Sequence, residues 1–285
     1  MSSVLDQTTQ QRQDPVAAMN QAQQRPRRER TTRTPTGLPS WPVVLIAGRE
    51  KTGKTWQSAF ASASDLIGMT YWLGYGEKDP DEYGAIPGAR FEIAEHDGSL
   101  EDFYDAVRHY ASQPRVDSRP NLLVIDSGTR IWDIIRDRAT SEAVQRKAFD
   151  KNGEPVVGMD LWNKATGRWN KILEAARMND GPVIITARLD TVTVLDDKGK
   201  PTKAKTDKIK GQRNLGYDVD AIVEMPERGM AVLSGARSVL YKLSSSVDID
   251  WFDAEGMDGL WRRLGLDKAN VAAPTYTEPP NPEEI

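Results

Sequence analysis

The sequence contains no cysteine, which excludes disulfides and thiolate-ligated metal centres. It has two histidines, His96 and His109, too few for a zinc constellation. No apolar run approaches the length of about 18 residues that a membrane-spanning helix needs. The first residues lack the apolar core of a secretory signal, so the expectation is a soluble protein of the cytoplasm with no membrane partner. An excess of one charge is lacking too. The 38 Lys and Arg residues against 42 Asp and Glu leave a formal net charge of −4, and any affinity for a polyanion must come from local patches. At 285 residues the chain is long enough for one large α/β domain with tails.

What the sequence does have is Gly48-Arg49-Glu50-Lys51-Thr52-Gly53-Lys54-Thr55. This is the pattern G-x-x-x-x-G-K-[ST] of a phosphate-binding loop. Average residue usage gives roughly a one per cent expectation of such a match by chance in a chain of this length. The context lowers it further: the apolar run Pro42–Ala47 reads as a buried strand before the loop, and Trp56–Ala61 as a helix after it. In that order backbone N–H groups from Arg49 to Trp56 and a helix N-terminus face a phosphate chain. Gly48 and Gly53 permit the tight turn. Lys54 would reach the β- and γ-phosphates, and Thr55 would place its hydroxyl on Mg²⁺. ATP and Mg²⁺ are the expected ligands.

Other features follow in chain order. Residues 1–40 are polar, with Arg25, Arg27, Arg28, Arg30 and Arg33 near their end. They read as a disordered tail, either a solvated linker or a basic arm for phosphate. A helix to about Leu66 and a strand over 69–75 bring the chain to Glu77, where a carboxylate could orient or deprotonate an attacking water. Phe91–Ala94 reads as a strand and 100–112 as a helix capped by Ser99. Asn121–Ile125 leads into Asp126, a hydrophobic strand ending in the carboxylate that would help hold Mg²⁺. Ser127 and Thr129 are cap candidates for the helix that follows. Residues 136–158 break the regular pattern and carry Arg136, Arg138, Arg146, Lys147 and Lys151, which reads as a mobile basic loop. An amphipathic helix is expected over 159–178, with its tryptophans in the core. The strand Pro182–Ala187 ends at Arg188, which either senses a γ-phosphate or pairs with Asp190. A hairpin turning at 196–200 follows. Lys198, Lys200, Lys203, Lys205, Lys208, Lys210 and Arg213 crowd 198–213, opposed only by Asp207. They form either a solvated hairpin or a phosphate-contacting loop; Lys208 and Lys210 could instead reach a nucleotide in a neighbouring subunit. Strands are expected at 219–225 and 230–243, with Arg237 a further candidate phosphate contact. A helix at 257–264 and an acidic, Pro-rich tail end the chain.

Together these motifs resemble the RecA-like ATPases, and in particular the phage-encoded RecA-like recombination proteins of the single-strand annealing (Sak-type) group, over roughly residues 41–245. Glu77 and Asp126 follow Lys54 by 23 and 72 residues, which is similar to the RecA arrangement. The resemblance implies an α/β fold: a RecA-like core over 41–266 with a mainly parallel sheet flanked by helices, and disordered tails at 1–40 and 267–285. It implies that Glu77 is the catalytic carboxylate, that 136–158 and 189–216 face single-stranded DNA, and that Lys208 and Lys210 act across a subunit interface. The implied partners are single-stranded DNA, further copies of the chain in a ring or filament, and a single-strand DNA-binding protein, all in the cytoplasm of a phage host. The sequence departs from the family pattern in having Arg188 where an amide is usual, and in lacking a folded N-terminal oligomerisation domain. Two other readings stand beside this one. One is a different P-loop enzyme, a helicase, loader or small-molecule kinase. The other is an annealing module that uses nucleotide only as a switch.

Overall fold

The computed structural model describes residues 32–196, 198–267 and 271–272. One compact unit begins at Leu38. Most of the two expected tails, with Arg25, Arg27, Arg28 and Arg30, lies outside the described residues.

Apolar runs with no polar alternation make strands buried on both faces. β1 (Val43–Gly48) and β4 (Leu122–Asp126) are buried throughout. Alternate side chains of β1 divide between two cores, Val43, Leu45 and Ala47 into one and Val44 and Ile46 into the other. The remaining strands are β2 (Thr70–Gly74), β3 (Phe91–Ile93), β5 (Val183–Leu195), β6 (Pro201–Lys210), β7 (Ala221–Met225), β8 (Val232–Ala236) and β9 (Val247–Asp248). The sheet order is β3-β2-β4-β5-β1-β7-β8-β9, with β6 on β5. From β3 to β7 the pairing is parallel; β6, β8 and β9 pair antiparallel. The fold is therefore α/β, a mainly parallel sheet flanked by helices. On one face the core takes in α2 (Leu100–Ala111), α3 (Gly128–Gln145) and α4 (Met159–Arg177); on the other it takes in α1 (Lys54–Ala61) and α6 (Phe252–Arg263). A one-turn helix, α5 (Leu215–Asp218), precedes β7.

Two caps form where sequence chemistry places them. Ser99 Oγ accepts from the Asp102 amide at the start of α2, and Ser127 Oγ accepts from the Arg130 amide at the start of α3. Trp169 is buried in the core of the α4 face.

Several boundaries differ from expectation. α1 stops at Ala61 rather than near Leu66, because the Ser62 hydroxyl donates to the Ala59 carbonyl and Arg90 Nη2 donates to the carbonyls of Ser64 and Ile67. Residues 136–145 are not a loop. They continue α3, whose buried stripe of Ile131, Ile135, Ala139 and Ala143 repeats every four residues. Thr140 and Ser141 give their hydroxyls to the Arg136 and Asp137 carbonyls, four residues back, so these polar residues do not break the helix. Only 146–158 is irregular, and Asp150 Oδ1 organises its turn by accepting from the amides of Asn152 and Glu154. β5 runs through Arg188 to Leu195, so Arg188 lies inside a strand. Residues 238–243 are not strand; the Tyr241 amide donates to Ser238 Oγ in a turn. The last helix starts at Phe252 and kinks at Gly256, whose φ is 56°.

Candidate nucleotide-binding site

The loop between β1 and α1 is shaped by a few close contacts, among them the Arg49 amide donating to the Met225 carbonyl at 3.3 Å. Gly48 sits so close to its surroundings that a Cβ would lie 2.5 Å from Thr52 Oγ1 and 2.9 Å from the Met225 carbonyl. Gly53 has φ 102°, a left-handed conformation that glycine adopts freely. Thr52 Oγ1 donates to the Arg49 carbonyl at 3.0 Å. No side chain caps the N-terminus of α1 and no acid lies in its first turn. Its free N–H groups and the positive end of its dipole favour an anion there. The Trp56 ring stacks on Phe60, 4.9 Å between centroids, and does not line the cavity over the loop.

Lys54 Nζ donates to the carbonyls of Gly48 and Arg49, at 2.9 and 2.7 Å. Burial pushes its pKa below the ordinary lysine value; Asp126 opposes that, Arg188 adds to it, and Glu77 opposes it. Asp126 closes β4 with both oxygens engaged. The Thr186 hydroxyl donates to Oδ1, and Thr55 Oγ1 lies 3.3 Å from Oδ2. Burial pushes the Asp126 carboxyl above the usual range, the Thr186 hydrogen bond pulls it back, and Glu77 raises it further. The peptide after it, Asp126–Ser127, is cis.

Glu77 reaches this group because Gly76 turns the chain with φ 67° just beyond β2. Its Oε1 accepts from Ser127 Oγ at 3.0 Å and from Arg188 Nη2 at 2.5 Å. Among the described residues the ion pair of Arg188 is with Glu77, not with Asp190. Glu77, 111 residues from Arg188 in sequence, thus shares one cavity of about 1080 Å³ with it. Its lining includes Arg49, Glu50, Lys51, Lys54, Thr55, Glu77, Asp126 and Arg188. β5 lies between β1 and β4 in the sheet, so Thr186 and Arg188 stand between the loop and Asp126.

Sequence reasoning missed Thr186, Ser127 and Tyr83, which also line the cavity. Thr186 could have been found as the one polar residue in an apolar strand. Ser127 was read only as a cap; it caps α3 and also holds Glu77. Tyr83 sits in a short 3₁₀ turn at 81–85 that has no periodic signal.

Other candidates lie elsewhere. Arg136 and Arg138 are helical and paired, with Asp133 and with Glu101 and Glu142 respectively; Arg146 pairs with Asp160. These three are not the free cations of a mobile loop. Lys147 is exposed, with φ 56°. Lys198, Lys200, Lys203, Lys205 and Lys208 are exposed on the β5–β6 hairpin and Arg213 just after it; among the described residues no acid pairs with them. Lys208 faces Asp190 and Lys210 faces Arg188 across the hairpin, and neither lines the cavity. Arg237 does not line the cavity. It pairs with Asp220 at 3.7 Å, and Asp220 Oδ2 accepts from the Val43 amide at the start of β1. That is the opposite end of the strand from the loop, about 17 Å away.

No protein-family model matches the sequence, and no curated protein matches it. Among solved structures the chain is similar to an ATPase from the type III secretion system of pathogenic bacteria (14% identity, TM-score 0.39, 66% of this chain and 54% of that one). It is similar to the RadB recombinase (18%, 0.39, 70% and 83%) and to a DnaB-like replicative helicase (14%, 0.38, 72% and 54%). The chain spans about half the length of the secretion ATPase and of the helicase.

Proposed function

We propose that this chain binds ATP at Gly48–Thr55 and hydrolyses it, as a RecA-like protein acting on single-stranded DNA in recombination of the phage annealing type. One observation carries the ATPase part. The uncapped loop, Lys54, Asp126 and Glu77, brought from three separate strand ends, line one cavity. The donor set suits Mg²⁺, which takes one or two carboxylates together with substrate phosphates rather than an all-protein cage. Among the described residues no group of three or more His, Asp or Glu could form such a cage. Thr55 and Asp126 would hold the ion, which neutralises charge on the phosphate oxygens when bound.

The chain's own groups do the following. Loop amides and the α1 N-terminus bind the phosphate chain, and Lys54 exchanges the carbonyls of Gly48 and Arg49 for phosphate oxygens. Glu77 accepts a proton from water as the water oxygen bonds to the γ-phosphorus and the bond to the β–γ bridging oxygen breaks. The products are ADP and phosphate. Arg188, held on Glu77 in the structure, is close enough to the loop to turn to a γ-phosphate and release that carboxylate. Phosphoryl transfer depends on positioning and charge stabilisation, so an isolated subunit is expected to be slow.

The DNA part is supported by the exposed lysines of the β5–β6 hairpin, which have no acidic partner among the described residues; the hairpin leaves the sheet at the end where the loop lies. Further copies of the chain, with Lys208 and Lys210 at their contact, belong to the same reading. The test is ATP turnover with and without single-stranded DNA at several salt concentrations. Stimulation that fades with salt, loss of turnover in Lys54→Ala, and retained ATP binding with turnover reduced about 10²–10⁴-fold in Glu77→Gln are expected. Turnover unchanged by DNA at every salt overturns the DNA part; unchanged turnover in Glu77→Gln overturns the assignment of the base.

A further inference from the structure

The hairpin that follows Arg188 has little to hold it. Beyond the body of the sheet β5 and β6 pair only with each other, and a two-stranded ribbon alone is marginal in water. At its base Leu189 is buried and Ile209 packs against the core. Thr129 Oγ1 donates to the Lys210 carbonyl at 2.5 Å. Further out, among the described residues, an ion pair ties it to another part of the chain. Asp207, the single acid among the basic residues of 198–213, accepts from Arg49 Nη2 with both oxygens, at 3.0 and 2.9 Å. Thr191 Oγ1, across the ribbon, donates to the same carboxylate at 2.9 Å.

Arg49 belongs to the phosphate-binding loop and lines the nucleotide cavity together with Leu189, Asp190 and Thr191 of the hairpin base. Among the described residues its Nε is buried with no hydrogen-bond partner. A buried guanidinium nitrogen without an acceptor is a costly arrangement, and an incoming phosphate oxygen would relieve it. A terminal phosphate offers three strong acceptors and more charge than a carboxylate, and a guanidinium can donate to it through two nitrogens rather than the one that Asp207 engages. Arg49 therefore stands between two competing anions: Asp207 on the hairpin, and the terminal phosphate of a triphosphate in the cavity that Arg49 lines.

We infer that Asp207 is a positioning residue and that its ion pair with Arg49 is a strap, which a nucleoside triphosphate unfastens by drawing Arg49 away. The inference rests on the nucleotide reading of the cavity. A diphosphate, which lacks the terminal group, leaves the strap closed. The hairpin outward of Asp207 is then held without triphosphate and released with it, and its lysines change their presentation to a polyanion in step with the nucleotide state.

The test is hydrogen exchange of the amides of 191–195 and 201–207 in the full chain, measured without nucleotide, with ADP, and with a non-hydrolysable ATP analogue, in parallel with the binding affinity of each. In the wild type, faster exchange is expected with the ATP analogue and not with ADP. In Asp207→Asn, exchange is expected to be fast in all three states. The analogue should bind about 2- to 5-fold tighter, since an exposed ion pair of up to about 1 kcal/mol no longer competes for Arg49. Arg49→Ala, which removes the guanidinium, should be fast without nucleotide as well. Analogue binding without a change in exchange, or an Asp207→Asn variant that responds to nucleotide as the wild type does, overturns the strap and leaves the nucleotide site standing. Failure of the wild type to bind the analogue overturns both.

Discussion

Thr186→Val isolates the hydrogen bond on which the charge state of the site depends. Thr186 is fully buried in β5, and its hydroxyl donates to Asp126 Oδ1. Valine keeps the shape and removes the donor. Asp126 is itself buried, and burial already pushes its pKa upward; the Thr186 bond is the leading opposing influence. A hydrogen bond to a charged group contributes about 1.5–3 kcal/mol, so a loss of about 2 kcal/mol is expected at neutral pH. For a domain of this size that corresponds to a fall in Tm of about 4–8 °C. The sign of the pH dependence follows from which form the bond serves. It stabilises the carboxylate, so its contribution is full above the folded-state pKa of Asp126 and is lost as pH falls through that value. The Tm gap between wild type and variant should therefore be widest at the alkaline end and narrow as pH falls, and the acid limb of ATP binding should move to higher pH in the variant. Circular dichroism melts across a pH series, with a fluorescent ATP analogue for binding, measure both. A gap that does not vary with pH, or none at the alkaline end, would refute the argument.

Three further outcomes are expected. Gly48→Ala places a methyl 2.5 Å from Thr52 Oγ1 and 2.9 Å from a backbone oxygen, so the loop must shift; ATP affinity measured by calorimetry should fall at least about tenfold, the equivalent of 1.4 kcal/mol. Ile135→Ala empties a fully buried position of α3 and should cost about 2–5 kcal/mol in a urea melt, whereas a loop at 136–158 beginning beside it would tolerate the change. Ser99→Ala removes the acceptor of the Asp102 amide; a loss of about 1 kcal/mol is expected by the same melt, typical of a missing N-cap.

The parts of the site that lie on strand ends were legible in the sequence. Val43–Gly48, Leu122–Asp126 and Val183–Ala187 are apolar runs that stop at a functional residue, and burial on both faces leaves few other placements for them. The capping serines were legible because their chemistry is local. What was not legible depended on tertiary partners. The stripe of α3 uses alanine at two of its four buried positions, so its apolar signal is weak beside the arginines between them. Those arginines read as a free basic patch until Asp133, Glu101 and Asp160 were in place to pair with them. Arg188 could be placed near the site from its strand, but its partner Glu77 is 111 residues away, and only the sheet order brings them together. Asp207 looked like a lone exception in a basic run. Its role depends on Arg49, 158 residues distant, and no local pattern reports that.

The position of β5 has a mechanical consequence. The strand that carries Thr186 and Arg188 through the middle of the site continues without a break as the outer arm to Leu195. That arm is seven residue steps long, about 23 Å at the rise of an extended strand. Displaced as a unit, the arm works as a lever with its fulcrum at the sheet. A sideways displacement of about 5 Å at the tip then becomes a tilt of about 12°, or roughly 1 Å over the few residues beside Asp126 and Glu77. Errors of that size in the placement of catalytic groups can change rates about 100-fold. A grip that moves the whole ribbon would thus reach the candidate site through a single continuous strand.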